Sequence, residues 1–134
     1  MTDSDSLTGF YQQVKEMGKL PTTDHARRWS AAVLRTLGLT LDRSSKRQLA
    51  RALAPELAAP LTRVFWLVHF RNRTQSVHEF LHQAAGRSGN TDPAFARYPT
   101  TAVFHGLKQL INNDLVEQIA ESLSPELRQL WLQA

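Results

Sequence analysis

The run His78-Glu79-Phe80-Leu81-His82 is the part of this chain that comes nearest to a reactive site. Histidines four residues apart share one helix face, so both imidazoles can reach a single zinc ion. A glutamate between them can take a proton from zinc-bound water. The pattern therefore predicts, as one alternative, a zinc-dependent hydrolase with His78 and His82 as ligands and Glu79 as general base. Three features weigh against it. A catalytic zinc needs a third protein ligand, and no histidine completes the run; Gly86 comes one residue after the glycine position of the extended motif, and nothing brings His105 near. Phe80 already has a structural counterpart, Phe10. The residues matching His78, Glu79 and His82 in the other half of the chain are Thr8, Gly9 and Gln12, which bind nothing together. The expected cofactor is none, with zinc as the alternative.

Other reactive constellations are missing. Cysteine is absent, which removes disulfides, thiolate metal sites and a cysteine nucleophile. No Ser/His/Asp order, phosphate-loop glycine pattern or dinucleotide fingerprint is present. His25 falls in the first turn of an expected helix, facing solvent, and His69 lies in the apolar run Val64–Phe70.

Charge placement says more. Arg43, Arg47 and Arg51 recur every fourth residue, with Lys46 beside them. Seventy residues later the same places hold Asn113, Glu117 and Glu121, so one structural position reverses its sign. If an approximate two-fold relates the halves, these stripes can face each other, within one molecule or between molecules. Exposed pairs contribute only ~0.2–1 kcal/mol each, but they set register and orientation. The predicted interaction residues are Arg43, Arg47, Arg51, Glu117 and Glu121, joined by Trp66 and Phe70 of the apolar run.

The elements that must carry these residues are repeated. Shifting the chain by seventy positions, without a gap, aligns Phe10 with Phe80, Ala32-Val33 with Ala102-Val103, and Pro55-Glu56-Leu57 with Pro125-Glu126-Leu127. One supersecondary unit used twice can cover each copy's apolar face with the other. The predicted repeats are 5–66 and 75–134, joined by a linker at 67–74, within one domain spanning 1–134.

Every periodic signal is helical. Leu7, Phe10, Tyr11 and Val14 form one face, ended by Gly18 and Pro21. Trp29, Ala32, Val33 and Leu37 form the next, with Gly38 closing it. A third helix starts near Ser44, with Ser45 and Gln48 as an alternative capping box. Pro55 opens a short fourth segment ending near Leu67. In the second copy, Gln75-Ser76 caps the first helix. Asn90–Pro93 is a loop with a cap, and Ser124-Pro125-Glu126 reads as N-cap, first-turn proline and acid. Proline inside a helix is disfavoured, so the second helix of this copy is expected to begin at Pro99 after a separate turn.

Composition sets the class. With 134 residues and 42% hydrophobic residues, the chain can bury a core as one domain. The polar start, Met1–Ser6, lacks a signal-peptide pattern, and no apolar run reaches the ~20 residues needed to cross a bilayer. The expected location is the cytoplasm, with no membrane partner. Residues 1–74 carry twelve Lys/Arg against six Asp/Glu, whereas residues 75–134 carry four against six. A basic half admits nucleic acid as a partner.

The motif order resembles the bacterial family called domain of unknown function 2267. The features that carry it are the Phe10/Phe80 helices, the Ala-Val-Leu helices, and a leucine-ridged helix ending in Leu-x-Pro-Glu-Leu, from about Leu7 to Trp131. The resemblance implies an all-helical bacterial cytoplasmic protein and brings no activity, cofactor or catalytic residue. The fold expected is all-α: two tandem copies of a three-to-four-helix unit, related by an approximate two-fold and packed into one bundle. The first functional reading is a non-enzymatic module that binds another protein or itself. The zinc hydrolase is its alternative. Nucleic-acid binding through Arg27, Arg28, Arg35, Arg43, Arg47 and Arg51 is the second alternative.

Overall fold

Six helices begin where a short polar side chain takes an otherwise orphaned backbone N–H. The computed structural model describes residues 3–63, 75–89 and 92–134, with side chains from residue 6 onward. Among these, the first half forms α1 (Asp3–Met17), α2 (Thr23–Thr40), α3 (Arg43–Ala52) and α4 (Pro55–Thr62). The second forms α5 (Val77–Ser88), α6 (Pro93–Leu110), α7 (Asn113–Ser122) and α8 (Pro125–Gln133). The bounds of α2 and α3 recur seventy residues later in α6 and α7, with no residue gained or lost. Their caps recur too: Asp42 Oδ1 accepts from Ser45 N, and Asn112 Oδ1 accepts from Leu115 N. Ser76 and Glu79 form a complete capping box on α5, and Ser124 caps α8 ahead of Pro125. Such caps contribute about 1 kcal/mol each.

The molecule is all-helical; no strand forms among the described residues. The first helix of each half lies on the second helix of the other: α1 packs on α6, and α5 packs on α2. Counterparts also meet directly, α2 with α6 and α3 with α7. The result is one continuous core that includes Trp29, Leu34, Phe80, Phe104, Ile119 and Trp131. Phe10 and Phe80 are both buried in it. Phe80 meets the Phe104 ring at 5.6 Å between centroids, and Phe10 lies where a Cβ on Gly106 would come within 2.7 Å of its ring.

Four local expectations change. Helix α6 begins at Pro93, capped by Asp92, and runs through Pro99. Pro99 is buried there against the end of α1, where a Cβ on Gly18 would come 3.1 Å from Pro99 Cα. Burial of this seam outweighs the one backbone bond that proline forfeits. Gly38 does not close α2, which continues to Thr40; it sits where α4 crosses, with the Leu61 carbonyl in the space a Cβ would fill. Asp42, not Ser44, caps α3, because an ionised carboxylate is a stronger acceptor facing the positive helix end. Helix α4 stops at Thr62, short of Leu67. The apolar run Val64–Phe70, with Trp66, His69 and Phe70, and the linker 67–74 lie outside the described residues.

Buried polar groups tie the halves together. Gln75 is 3% exposed. Its Oε1 lies 3.0 Å from the Thr40 hydroxyl of α2, and its Nε2 donates to Gln83 Oε1 on α5. Ser124 Oγ, at the start of α8, donates to the Gln75 carbonyl at 2.6 Å. Nearby, Val77 N donates to Glu126 Oε1, so the N-termini of α5 and α8 are fastened at two points.

Candidate interaction surface on α3 and α7

The two sign-reversed stripes lie on helices that touch. Amphipathic spacing turns Ser45 and Leu49 of α3, and Leu115, Ile119 and Ala120 of α7, into the core. Arg43, Arg47 and Arg51 are exposed on α3; Glu117 and Glu121 are exposed on α7. Among the described residues no ion pair joins the two stripes; Arg27 pairs instead with Asp24, at 3.6 Å on the surface.

Two depressions flank this surface. One, of about 370 Å³, is lined by Arg43, Lys46, Arg47, Ala50, Arg51 and Thr62. The other, of about 450 Å³, lies between α3 and α7, where Gln48 and Arg51 face Asn112, Asp114 and Gln118. Lys46 is half-buried and donates to the Gly38 carbonyl at 3.1 Å. Burial, and then the neighbouring Arg43 charge, push its ammonium below the usual lysine range. Lys46 is therefore an anchor between α3 and α2, while the three arginines remain available. The α7 contributions Asn112, Asp114 and Gln118 were not singled out in the sequence. The shift that pairs α3 with α7 carries the signal for them, since it puts Asp114 opposite Ser44.

The histidine pair has a different setting. His78 and His82 are exposed, with rings stacked at 6.3 Å between centroids. Glu79 Oε1 accepts from Ser76 N at 3.3 Å while Glu79 N donates to Ser76 Oγ. Its carboxylate is thus turned toward the helix start. Among the described residues, no group of three or more His, Cys, Asp or Glu side chains is placed to hold a metal ion. Among the described residues the two imidazoles come together without a third ligand, and Glu79 is engaged with Ser76 at the helix start.

The basic residues of α2 serve separate places. Arg27 pairs with Asp24 and lies over the Tyr11 ring at 5.3 Å. Arg28 lines a cleft with Trp29. Arg35 stands near Arg87, whose guanidinium donates to Thr36 Oγ1; burial first, and then Arg35, lower the Arg87 pKa from its ordinary value. No helix among the described residues is long and apolar enough to cross a membrane.

No curated protein matches the chain. The family described as "Uncharacterized conserved protein (DUF2267)" matches residues 8–130, from the first turns of α1 to the Leu130 position of α8. The chain belongs to this family.

Proposed function

We propose that this chain is a non-enzymatic helical module whose α3–α7 surface binds a second copy of itself. The observation that carries the reading is an exposed basic stripe on α3 and an exposed acidic stripe on α7, two helices in contact, with no ion pair between the stripes among the described residues. A two-fold axis passing between α3 and α7 would lay the basic helix of one copy on the acidic helix of the other, and do so twice. Closed two-fold pairs of this kind are the commonest assemblies. The same reading relates the two halves by an approximate internal two-fold, supported by the reciprocal packing of α1 on α6 and α5 on α2. It puts the module in the bacterial cytoplasm, where a chain without cysteine loses no staple.

Magnitude decides how tight such a pair is. Four exposed ion pairs at ~0.2–1 kcal/mol each contribute ~1–4 kcal/mol in all, so association is weak and salt-dependent. Sedimentation velocity at about 20 mM and about 500 mM salt reads this directly. The expected result is a dimer at low salt that dissociates at high salt. Arg47→Glu with Arg51→Glu should give a monomer, and adding Glu117→Arg with Glu121→Arg should restore the dimer. A wild-type chain that stays monomeric at low salt, or a dimer indifferent to both substitutions, would overturn the proposal.

A further inference from the structure

A third depression lies away from α3 and α7, where the α1–α2 turn, the start of α2, the end of α5 and the start of α6 meet. It has a volume of about 440 Å³ and is lined by Leu20, Pro21, His25, Arg28, Trp29, Ser88, Gly89 and Phe95. Small-ligand sites fall in the range of roughly 300–1,000 Å³. Its walls divide by chemistry. Leu20, Pro21, Phe95 and the Trp29 indole are apolar, and Phe95 meets Trp29 edge-on at 6.1 Å between centroids. His25, Arg28 and the positive end of the eighteen-residue α2 supply the opposite character.

Trp29 carries the decisive detail. Its side chain is 98% buried (2% exposed). Trp131 donates its indole N–H to the Val116 carbonyl, but among the described residues the Trp29 N–H meets no acceptor. Nor is that nitrogen one of the four partnerless side-chain atoms sealed from solvent, which are Gln13 Oε1, Ser30 Oγ, Ser45 Oγ and Thr100 Oγ1. A buried ring whose unpaired donor still reaches solvent must present it through the small area left open, and the cleft is lined by that ring. His25 adds a second donor. Thr22 Oγ1 accepts from His25 N, and its own hydrogen is free to bond His25 Nδ1 at 2.6 Å. With Thr22 as donor in that contact, Nε2 is the ring nitrogen left to meet a ligand.

We infer that this cleft binds a small molecule with a flat apolar body and one anionic head. The body lies against Phe95, Leu20 and Pro21, and the head meets Arg28, His25 and the Trp29 indole N–H. The site is independent of the α3–α7 surface.

The test uses 1-naphthaleneacetate and its neutral amide as probes, followed by the indole N–H signals in ¹⁵N–¹H spectra, with Trp29 identified from Trp29→Phe. The acid should shift the Trp29 signal saturably and leave Trp131 in place. The amide should bind at least about tenfold more weakly, as expected for losing one charge-assisted hydrogen bond. Arg28 is exposed, so Arg28→Glu should fold normally; it should abolish the shift, while Arg28→Lys should keep most of it. No saturable shift at millimolar probe, equal binding of acid and amide, equal movement of Trp131, or full binding by Arg28→Glu would each overturn the proposal.

Discussion

Glu79 and Tyr11 show how a side chain's partner redefines its chemistry. In sequence, Glu79 sits between two histidines and reads as a base. In space it closes a capping box with Ser76, where it offsets an unpaired N–H at the positive end of α5. Tyr11 looks like one more apolar ring, yet its hydroxyl donates to Glu56 Oε2 at 3.0 Å. Burial, that hydrogen bond and the Glu56 charge all disfavour phenolate, and Arg27 opposes them without reversing the balance. Tyr11 therefore keeps its proton well above the usual tyrosine range. Because the folded pKa is raised, the associated stability is complete below about pH 10, the unfolded value, and drains away as pH rises beyond it. Urea unfolding between about pH 10 and pH 12 should show wild type losing stability more steeply than Tyr11→Phe. At pH 7 the substitution should cost about 1 kcal/mol, the net worth of one hydrogen bond. Parallel pH profiles would remove this account of Tyr11.

At the scale of elements, the starts of α5 and α8 were legible and the helix crossings were not. Ser76 and Ser124 announce their helices because capping is local chemistry within four residues. The same local logic misplaced the start of α6 at Pro99 and the end of α2 at Gly38. Both residues answer to a neighbour distant in sequence: Pro99 to the end of α1, Gly38 to the Leu61 carbonyl of α4. Two glycines separate these influences. At Gly38 a methyl group would collide with backbone, so Gly38→Ala should force α2 and α4 apart and destabilise by about 1–3 kcal/mol. At Gly9, inside α1, a Cβ meets nothing within 4 Å, so Gly9→Ala should stabilise by about 0.5–1 kcal/mol through helix propensity alone. Thermal unfolding of the two variants should move in opposite directions; a common direction would contradict the crossing as the reason for Gly38.

At the scale of the whole molecule, the halves are not independent bodies. Because α1 rests on α6 and α5 rests on α2, cutting the chain exposes the seam of both pieces. The Gln75 contacts to Thr40 and Ser124 would be lost or left half-satisfied as well. Peptides 1–63 and 75–134 should each show little helix by circular dichroism when alone, and should regain it when mixed. A half that unfolds cooperatively by itself would show that the seam is dispensable.

The helical class, the seventy-residue repeat, the caps at Ser76 and Ser124 and the two charge stripes were readable in the order of residues alone. Periodicity, capping and residue spacing are properties of neighbours along the chain, so they survive without coordinates. Tertiary packing added that the stripes ride on adjoining helices with no ion pair between them among the described residues, that Glu79 closes the capping box on α5, and that Trp29, Arg28 and Phe95 line one cleft. Each of those depends on which helices pack together. Packing is a balance of buried area and close approach between residues tens of positions apart, which no local pattern encodes.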